Sequence, residues 1–257
     1  TLAALNVPVE QRIRQIRINM ERVAALADAE PGDFLLVNVP AFEAYLVRDG
    51  AIVATSGVIV GATEQQTPSF TASMTHVVIN PAWTVPFSIA SEELLPRIQR
   101  DIGYLQRGGY SVFDPDGNPV DPASVDWQSL HQGRFPLTLV QEAGPVNELG
   151  RIKFMFPNTH GVCMHDTPGK HLFSYNSRAF SHGCIRIAEP IEFATALLER
   201  EGWTLERIDQ QLASGETHTI LLSQPLAVFV AYLTVLVDET GSAHFYRDIY
   251  DRDRIGP

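Results

Sequence analysis

Cysteine, positive charge and long apolar runs are all scarce in this 257-residue chain, and each scarcity excludes a class of protein. Only 2 cysteines occur, so no disulfide framework holds the fold together. No run approaches the roughly 18 to 20 apolar residues that a membrane-spanning helix requires. Lys and Arg total 19 against 30 Asp and Glu, a formal net charge of −11, which argues against sequence-independent binding of nucleic acid.

The remaining composition is that of a folded, enzyme-sized domain. Apolar residues make up 45% and charged residues 19% of the chain, which is enough for a sizeable core in one large domain or in one domain with an insertion. The chain begins at Thr1 rather than Met. We therefore expect a fragment or a mature form, and the composition does not report its compartment.

Hydrophobic periodicity predicts a mainly β, α+β core with peripheral helices. Residues 9–27 predict an amphipathic helix whose arginines face solvent. Two more helices are predicted at 189–200 and 205–212. Runs rich in Val, Ile, Phe and Tyr predict strands at 34–39, 42–47, 52–60, 75–79, 151–156, 219–222, 226–237 and 243–246.

The segment between the two strand-rich blocks has a different texture. Prolines and glycines are frequent there, one helix is predicted from Ser88 to about Asp101, and aromatic residues such as Trp83 are scattered throughout. About 70 residues of this kind are too many for a loop, so we predict a partly helical subdomain inserted at about 81–149. Its aromatic side chains form either a small core or part of a substrate groove.

Reactive side chains concentrate in one short stretch. Both cysteines and four of the eight histidines fall within residues 160–184. The stretch begins His160-Gly-Val-Cys-Met-His-Asp-Thr-Pro and ends Ser181-His-Gly-Cys-Ile-Arg. This clustering is the main chemical signal of the sequence.

A cysteine nucleophile needs three things, and the end of this stretch can supply them. A nearby histidine or cation favours the thiolate, another group orients that histidine, and backbone N–H groups point at the oxyanion. Gly183 lets the backbone approach a bound carbonyl closely. If the stretch is extended, Arg186 lies on the same side as Cys184, where it can favour the thiolate or bind a substrate carboxylate.

The pattern resembles the catalytic motif of the YkuD-type L,D-transpeptidases: a histidine, then 15 residues, then Ser-His-Gly-Cys-Ile-Arg. Similarity to the larger YcbB branch extends over nearly the whole chain, through the runs at 36–40, 76–81, 149–157, 165–168 and 246–250. The resemblance implies a YkuD-type β-sandwich catalytic domain at 31–257, with a substrate-capping subdomain at about 81–149. It also implies a linker helix at 1–30, of which residues 1–6 end an upstream peptidoglycan-binding module.

The resemblance further implies acyl transfer between peptidoglycan stem peptides. Cys184 would attack the carbonyl before a terminal D-Ala and release that residue, and the side-chain amine of a second stem would resolve the acyl-enzyme into a 3→3 cross-link. His165 would be the general base, oriented by the backbone carbonyl of Asp166. Backbone N–H groups of His182, Gly183 and Cys184 would form the oxyanion hole.

Substrate contacts and cellular context are expected from the same resemblance. The candidate substrate-binding residues are Arg186, Ser181, His160 and Trp83. Peptidoglycan stem peptides are the expected partners, and no cofactor, metal or nucleic acid is required. We expect a monomer in the periplasm or cell envelope, with Cys184 as a target for acylation by carbapenems.

Three residues near the motif have alternative interpretations. His165 lies 19 residues before Cys184 and His160 lies 24 before it; the shorter spacing favours His165 as base and leaves His160 as a pocket wall, a donor behind the base or a surface residue. His182, which is Ser in YcbB relatives, is either structural or part of the site. Cys163 departs from the branch. It is either a buried apolar residue or close enough to Cys184 to form an inactivating disulfide.

Three rival functions stay open at this point. The His and Cys residues are possible zinc ligands, although their spacing is not typical of a structural zinc site. The same nucleophile would serve a carboxypeptidase, a 1→3 transpeptidase or a lipoprotein-anchoring enzyme, depending on the donor and acceptor. A non-catalytic peptidoglycan-binding protein is the third, and the intact motif argues against it.

Overall fold

Most of the predicted strands and helices are present in the computed structural model, which describes residues 6–27, 32–238 and 240–253. Apart from Asn6, the expectation for residues 1–6 falls outside these ranges. The strands are β1 (Phe34–Asn38), β2 (Glu43–Arg48), β3 (Ala51–Gly61), β4 (Phe70–Ile79), β5 (Trp83–Thr84), β6 (Tyr110–Phe113), β7 (Pro119–Val120), β8 (Thr138–Gln141), β9 (Ile152–Met155), β10 (Met164–His165), β11 (Ala179–Ser181), β12 (Ile185–Ile187), β13 (His218–Ala231), β14 (Val235–Val237) and β15 (Ala243–Phe245). The α-helices are α1 (Val9–Ala27), α2 (Leu95–Arg100), α3 (Gly103–Arg107), α4 (Pro190–Leu198) and α5 (Leu205–Ser214).

Nine strands form one continuous sheet in the order β11-β3-β12-β10-β9-β4-β13-β1-β2. Because β2 also pairs antiparallel with β3, the sheet curls and closes on itself. Alternate residues of β1 and β2 are buried, as expected where one face of a sheet covers a core. Helices α4 and α5 contribute to the same core, where Phe193 of α4 meets Phe154 of β9 edge to face. The prediction of a mainly β, α+β fold is confirmed.

Strand β13 replaces two predicted strands. It runs through the predicted segment 219–222 and continues to Ala231, with a register shift between Leu221 and Leu226. Pro225 lies at this irregularity, and a proline cannot donate to the ladder. The apolar residues after Ala231 leave the strand, so the predicted segment 226–237 is only partly correct.

Helix α1 has the predicted bounds, but its polar side faces the protein. Gln15 and Asn19 are buried, and the Asn19 side chain donates to Thr234 Oγ1 at 2.7 Å and accepts from Thr234 N at 2.8 Å. Arg22 is paired with Asp253 at 2.7 Å, so the prediction of solvent-facing arginines is wrong for Arg22. The reason is that the chain beneath α1, at Thr234 and in residues 246–253, presents backbone groups and carboxylates to the helix rather than apolar side chains. The exposed positions include the apolar residues Val9, Ile13, Ile16, Met20 and Val23.

Residues 83–141 carry a second sheet and a second apolar cluster. The sheet has the strand order β5-β8-β6-β7, and the cluster includes Leu94, Ile98, Trp127 and Leu139. A π-helical turn at Ile89–Leu94 leads into α2, where one helix was predicted. The small sheet was not predicted because its strands have only 2 to 4 residues, too few for an alternating pattern. The domain boundaries at 81 and 149 stay a prediction.

No helix in the described part of the chain is long and apolar enough to cross a lipid bilayer.

Candidate active site

Three adjacent strands bring the reactive side chains to one face of the main sheet. β10 pairs with β9 on one side and with β12 on the other, so Lys153, His165 and Arg186 are direct neighbours in one row. Side chains two residues apart on a strand share a face. Cys163 and Cys184, two positions before His165 and Arg186, therefore form the next row. The intervening Met164 and Ile185 are fully buried on the opposite face, and this alternation fixes which side faces the cavity.

A cavity of about 430 Å³ opens over these rows. Its floor carries Lys153, His165, Cys184 and Arg186. The opposite wall comes from the inserted segment, which contributes Trp83, Glu93, Arg97, Tyr104 and Tyr110. Both expectations for the aromatic residues of the insertion therefore apply, since Trp127 lies in the insertion's core while Trp83 lines the cavity.

Cys184 has the features of an ionised thiol. Its Sγ lies 3.8 Å from Cys163 Sγ, and both cysteines are free thiols. Hydrogen bonding from Cys163, aided by the nearby charges of Lys153 and Arg186, outweighs burial and lowers the pKa of Cys184 to about 6. Cys184 is therefore mostly thiolate at neutral pH.

His165 is held as a buried, neutral ring. It is 5% exposed, and its Nδ1 lies 2.5 Å from the backbone oxygen of Asp166. That carbonyl only accepts, so Nδ1 carries the proton and Nε2 is left with a lone pair. Burial, with the positive charge of Arg186 next in size, lowers the pKa of His165 to about 4. The Asp166 carboxylate is fixed in turn by Arg151 N at 2.8 Å and Lys170 Nζ at 2.7 Å.

The loop before the nucleophile is shaped by its own hydrogen bonds. Ser181 Oγ donates to Cys184 O at 2.5 Å and accepts from Gly183 N at 3.2 Å, while Thr67 Oγ1 donates to Gly183 O at 2.8 Å. Gly183 has φ +107°, which side chains with a Cβ rarely adopt. Within the described residues, the backbone N–H groups of His182 and Cys184 form no hydrogen bond.

Three of the predicted site residues differ in detail from expectation. Ser181 lines the cavity, but its only O–H donor is used inside the loop. Its side chain therefore holds the loop, and its contact with substrate stays a prediction. The N–H of Gly183, predicted for the oxyanion hole, is occupied by Ser181 Oγ. His160 is exposed, packs against Phe70 at a ring-centroid distance of 5.1 Å and does not line the cavity. The turn closed by Asn158 points His160 outward.

Two residues that the sequence did not single out lie in the cavity. Lys153 lies beside His165 in the same row. The sequence feature that could have indicated it is the presence of a lysine within the apolar run 151–156. Glu93 binds His182 Nε2 at 2.6 Å and so connects the insertion to the nucleophile loop. No local sequence pattern predicts this contact. Arg186 lies on the cavity floor, and its buried Nε has no hydrogen-bond partner in the part of the chain that the structure describes.

Metal ligation is not supported by these side chains. Within residues 6–27, 32–238 and 240–253, no three His, Cys, Asp or Glu side chains are grouped as a metal site. His182 Nε2 is taken by Glu93 and His165 Nδ1 by the backbone. The geometry instead fits a thiolate nucleophile with a neighbouring base.

Comparison with known proteins identifies relatives of this chain. The sequence model of the YkuD family, described as L,D-transpeptidase catalytic domain, matches residues 32–206. A Haemophilus influenzae protein provisionally named as an L,D-transpeptidase is 36% identical over 241 residues, which are 94% of this chain and 48% of that protein. The chain thus spans about half the length of this curated relative.

Solved structures give weaker likenesses. An L,D-transpeptidase from Mycobacterium smegmatis aligns with TM-score 0.33 and 14% identity over 77% of this chain and 58% of its own. The catalytic domain of the E. faecium enzyme acylated by ertapenem aligns with TM-score 0.33 and 11% identity over 78% and 97%. Scores this low add no support, and placement in the YcbB branch stays a prediction. Because the family model matches more than half of the chain, this protein belongs to the YkuD family of L,D-transpeptidase catalytic domains.

Proposed function

We propose that this protein is an L,D-transpeptidase that builds 3→3 cross-links between peptidoglycan stem peptides through an acyl-enzyme on Cys184. The observation that supports this best is the meeting of two groups in one cavity: a thiol that ionises near pH 6 and a buried histidine that is neutral above about pH 4. Membership of the YkuD family supports peptidoglycan as the substrate of this acyl transfer.

In the first half-reaction, the Cys184 thiolate attacks the carbonyl between the third residue of a donor stem and its terminal D-Ala. The N–H groups of His182 and Cys184 are the donors available to the resulting oxyanion. When the intermediate collapses, the C–N bond breaks and the D-Ala amine leaves with a proton from solvent in the cavity. A thioester to Cys184 remains.

In the second half-reaction, His165 acts as the base. The side-chain amine of an acceptor stem attacks the thioester and loses a proton to His165 Nε2, and the C–S bond breaks to restore the Cys184 thiolate. The base acts at this stage because Cys184 is already ionised in the free protein at neutral pH. Nδ1–H keeps its bond to Asp166 O throughout, which fixes the tautomer that the step requires.

Lys153 and Arg186 bind the donor. They flank His165 in one row, and neither side chain forms a hydrogen bond or ion pair with another described residue. We propose that this pair of cations binds the carboxylate of the terminal D-Ala. Trp83 forms the facing wall, and the insertion caps the bound stem. The same proposal includes an envelope location, a monomeric state and acylation of Cys184 by carbapenems.

The test is mass spectrometry of products after incubation with a disaccharide-tetrapeptide. A cross-linked dimer that has lost one D-Ala is expected, and fragmentation should show a 3→3 linkage. Cys184→Ala and His165→Ala should abolish the dimer. His160→Ala is the matched control, since that histidine lies outside the cavity, and it should leave the yield unchanged.

Other products would contradict the proposal in distinct ways. Tripeptide without dimer would mean that water resolves the acyl-enzyme and that the protein is a carboxypeptidase. A 1→3-linked dimer would mean that the enzyme uses a different donor residue. An unchanged yield in Cys184→Ala would exclude this nucleophile altogether.

A further inference from the structure

Cys163 takes no part in the steps above, yet its sulfur lies 3.8 Å from that of the nucleophile. The backbone sets this separation. The N–H of Ile185 donates to the carbonyl of Cys163 at 2.9 Å, which extends the β10–β12 ladder by one residue and holds the two cysteines side by side. A thiol can donate one weak hydrogen bond and a sulfur can accept one, so the geometry permits a bond between them.

Few groups can stabilise a thiolate at this point. The Cys163 backbone also hydrogen-bonds to this sulfur and lowers the pKa of Cys184, and that bond remains when the Cys163 side chain is replaced. The carbonyl of Gly161, 3.9 Å from Cys184 Sγ, is an acceptor and cannot donate to an anion. The charged and titratable side chains that line the cavity with it are Lys153, His165 and Arg186 on the sheet and Glu93, Arg97, Glu148 and His182 across it. Among the described residues, none of these forms a hydrogen bond with the sulfur.

We propose that Cys163 is a positioning residue whose S–H donates to the Cys184 thiolate, stabilising the anion and directing it toward the substrate carbonyl. The inference rests on the proposed function only in taking Cys184 as the nucleophile. It adds to the site a donor that acts before any substrate is bound.

The surrounding charges decide which sulfur keeps the proton. Lys153 favours an anion on either sulfur, whereas Arg186 favours an anion on Cys184. The pKa of Cys163 is raised well above its usual value, first because its S–H serves Cys184 and then because of burial. Cys184 therefore ionises first, and Cys163 stays protonated as the donor across the neutral range.

The pH dependence of alkylation by iodoacetamide tests this directly, with modification of Cys184 followed by peptide mass spectrometry. Only the thiolate reacts, so the rate reports ionisation without any need for transpeptidation. Cys163→Ala removes the donor, whereas Cys163→Ser supplies an O–H in its place. We expect the midpoint to rise by about one pH unit in Cys163→Ala, making alkylation about tenfold slower at pH 5, and to return toward the wild-type value in Cys163→Ser.

The possible outcomes separate the two proposals. Superimposable profiles for the wild type and Cys163→Ala would overturn the positioning role. A shift in Cys163→Ala that Cys163→Ser does not reverse would also overturn it, because loss of packing rather than loss of a donor would then be the cause; thermal unfolding of both variants checks that each is folded. A shift that Cys163→Ser reverses, in a protein that makes no cross-linked product, would uphold the thiol pair while refuting the proposed function.

Discussion

Burial keeps the His165 ring neutral far below the pH at which a free histidine takes up its proton. Its pKa is about 4 in the folded protein and returns to about 6.5 on unfolding. Because the unfolded chain binds the extra proton, stability is lost as the pH falls from 6.5 toward 4. By linkage this residue should cost about 2 kcal/mol of unfolding free energy at pH 5.

Urea unfolding of the wild type and His165→Gln at pH 7 and pH 5 measures this loss. The drop between the two pH values should be about 2 kcal/mol smaller in the variant, which cannot protonate at that position. Equal drops in the two proteins would mean that the ring is not held neutral.

The paired cations Lys153 and Arg186 should determine how strongly the donor's free carboxylate is recognised. With a tetrapeptide ending in a carboxylate, Lys153→Met should raise KM about tenfold, since a charge-assisted contact is lost. With the matching D-Ala amide, the variant should differ much less from the wild type. Arg14→Met, at an exposed position of α1, is the control. An equal effect on the acid and the amide would contradict carboxylate binding.

The residues of the site differ in how well the sequence predicts them. Cys184, His165 and the backbone of Asp166 lie where the motif places them, because the motif is local and its spacing reflects strand geometry. Lys153 and Glu93 were missed, since each reaches the cavity only through pairing or packing with distant segments. His160 shows the converse: its position near the motif suggested a role that the turn around it prevents.

Among the secondary-structure elements, helix α1 shows that the extent of a helix is easier to predict than the side it turns to the protein. The Asn19 side chain donates a hydrogen bond to Thr234 and accepts another from it. Asn19→Ala should therefore leave buried polar groups of Thr234 unsatisfied and lower the free energy of unfolding by about 1–3 kcal/mol. Met20, the next residue, is 66% exposed, and Met20→Ala should cost less than about 0.5 kcal/mol. Urea unfolding compares them, and the opposite order would show that the apolar face is the buried one.

The contact between Glu93 and His182 joins the π-helical turn of the insertion to the nucleophile loop. Removing it in Glu93→Ala should free His182, and amide hydrogen exchange should become faster in residues 89–94 and 181–184 but not in the main sheet. Glu92→Ala is the matched control, because the Glu92 carboxylate binds Gln132 at 2.6 Å within the insertion. Unchanged exchange in both segments would show that the contact does not couple them.

At the scale of the whole molecule, the sequence predicts the β-rich core and the insertion but not how the sheet closes. Strand propensity is local, whereas the β2–β3 pairing that closes the ring depends on the curvature accumulated over all the strands. The cavity likewise results from packing between distant parts of the chain. It lies between the main core and the insertion's own apolar cluster, and no single stretch of sequence describes it.

The whole chain has 2 cysteines, and both lie in this cavity, so the protein's total thiol count reports the state of its active site. Peroxide should oxidise the Cys184 thiolate to a sulfenic acid with release of hydroxide, and the Cys163 thiol should then attack that sulfur and release water to form a disulfide. The sulfurs need to close from 3.8 Å to about 2.0 Å. Thiol titration should fall from two to none; two thiols persisting after oxidation would exclude the disulfide.

Such a bond would make Cys163 a safeguard as well as a hydrogen-bond donor. A sulfenic acid without a partner is open to further oxidation that thiols cannot reverse, whereas a disulfide is restored by dithiothreitol. Activity lost to peroxide should therefore return in the wild type and stay lost in Cys163→Ala. The 3.8 Å separation would let the protein survive an oxidative burst by switching itself off until reductant is available again.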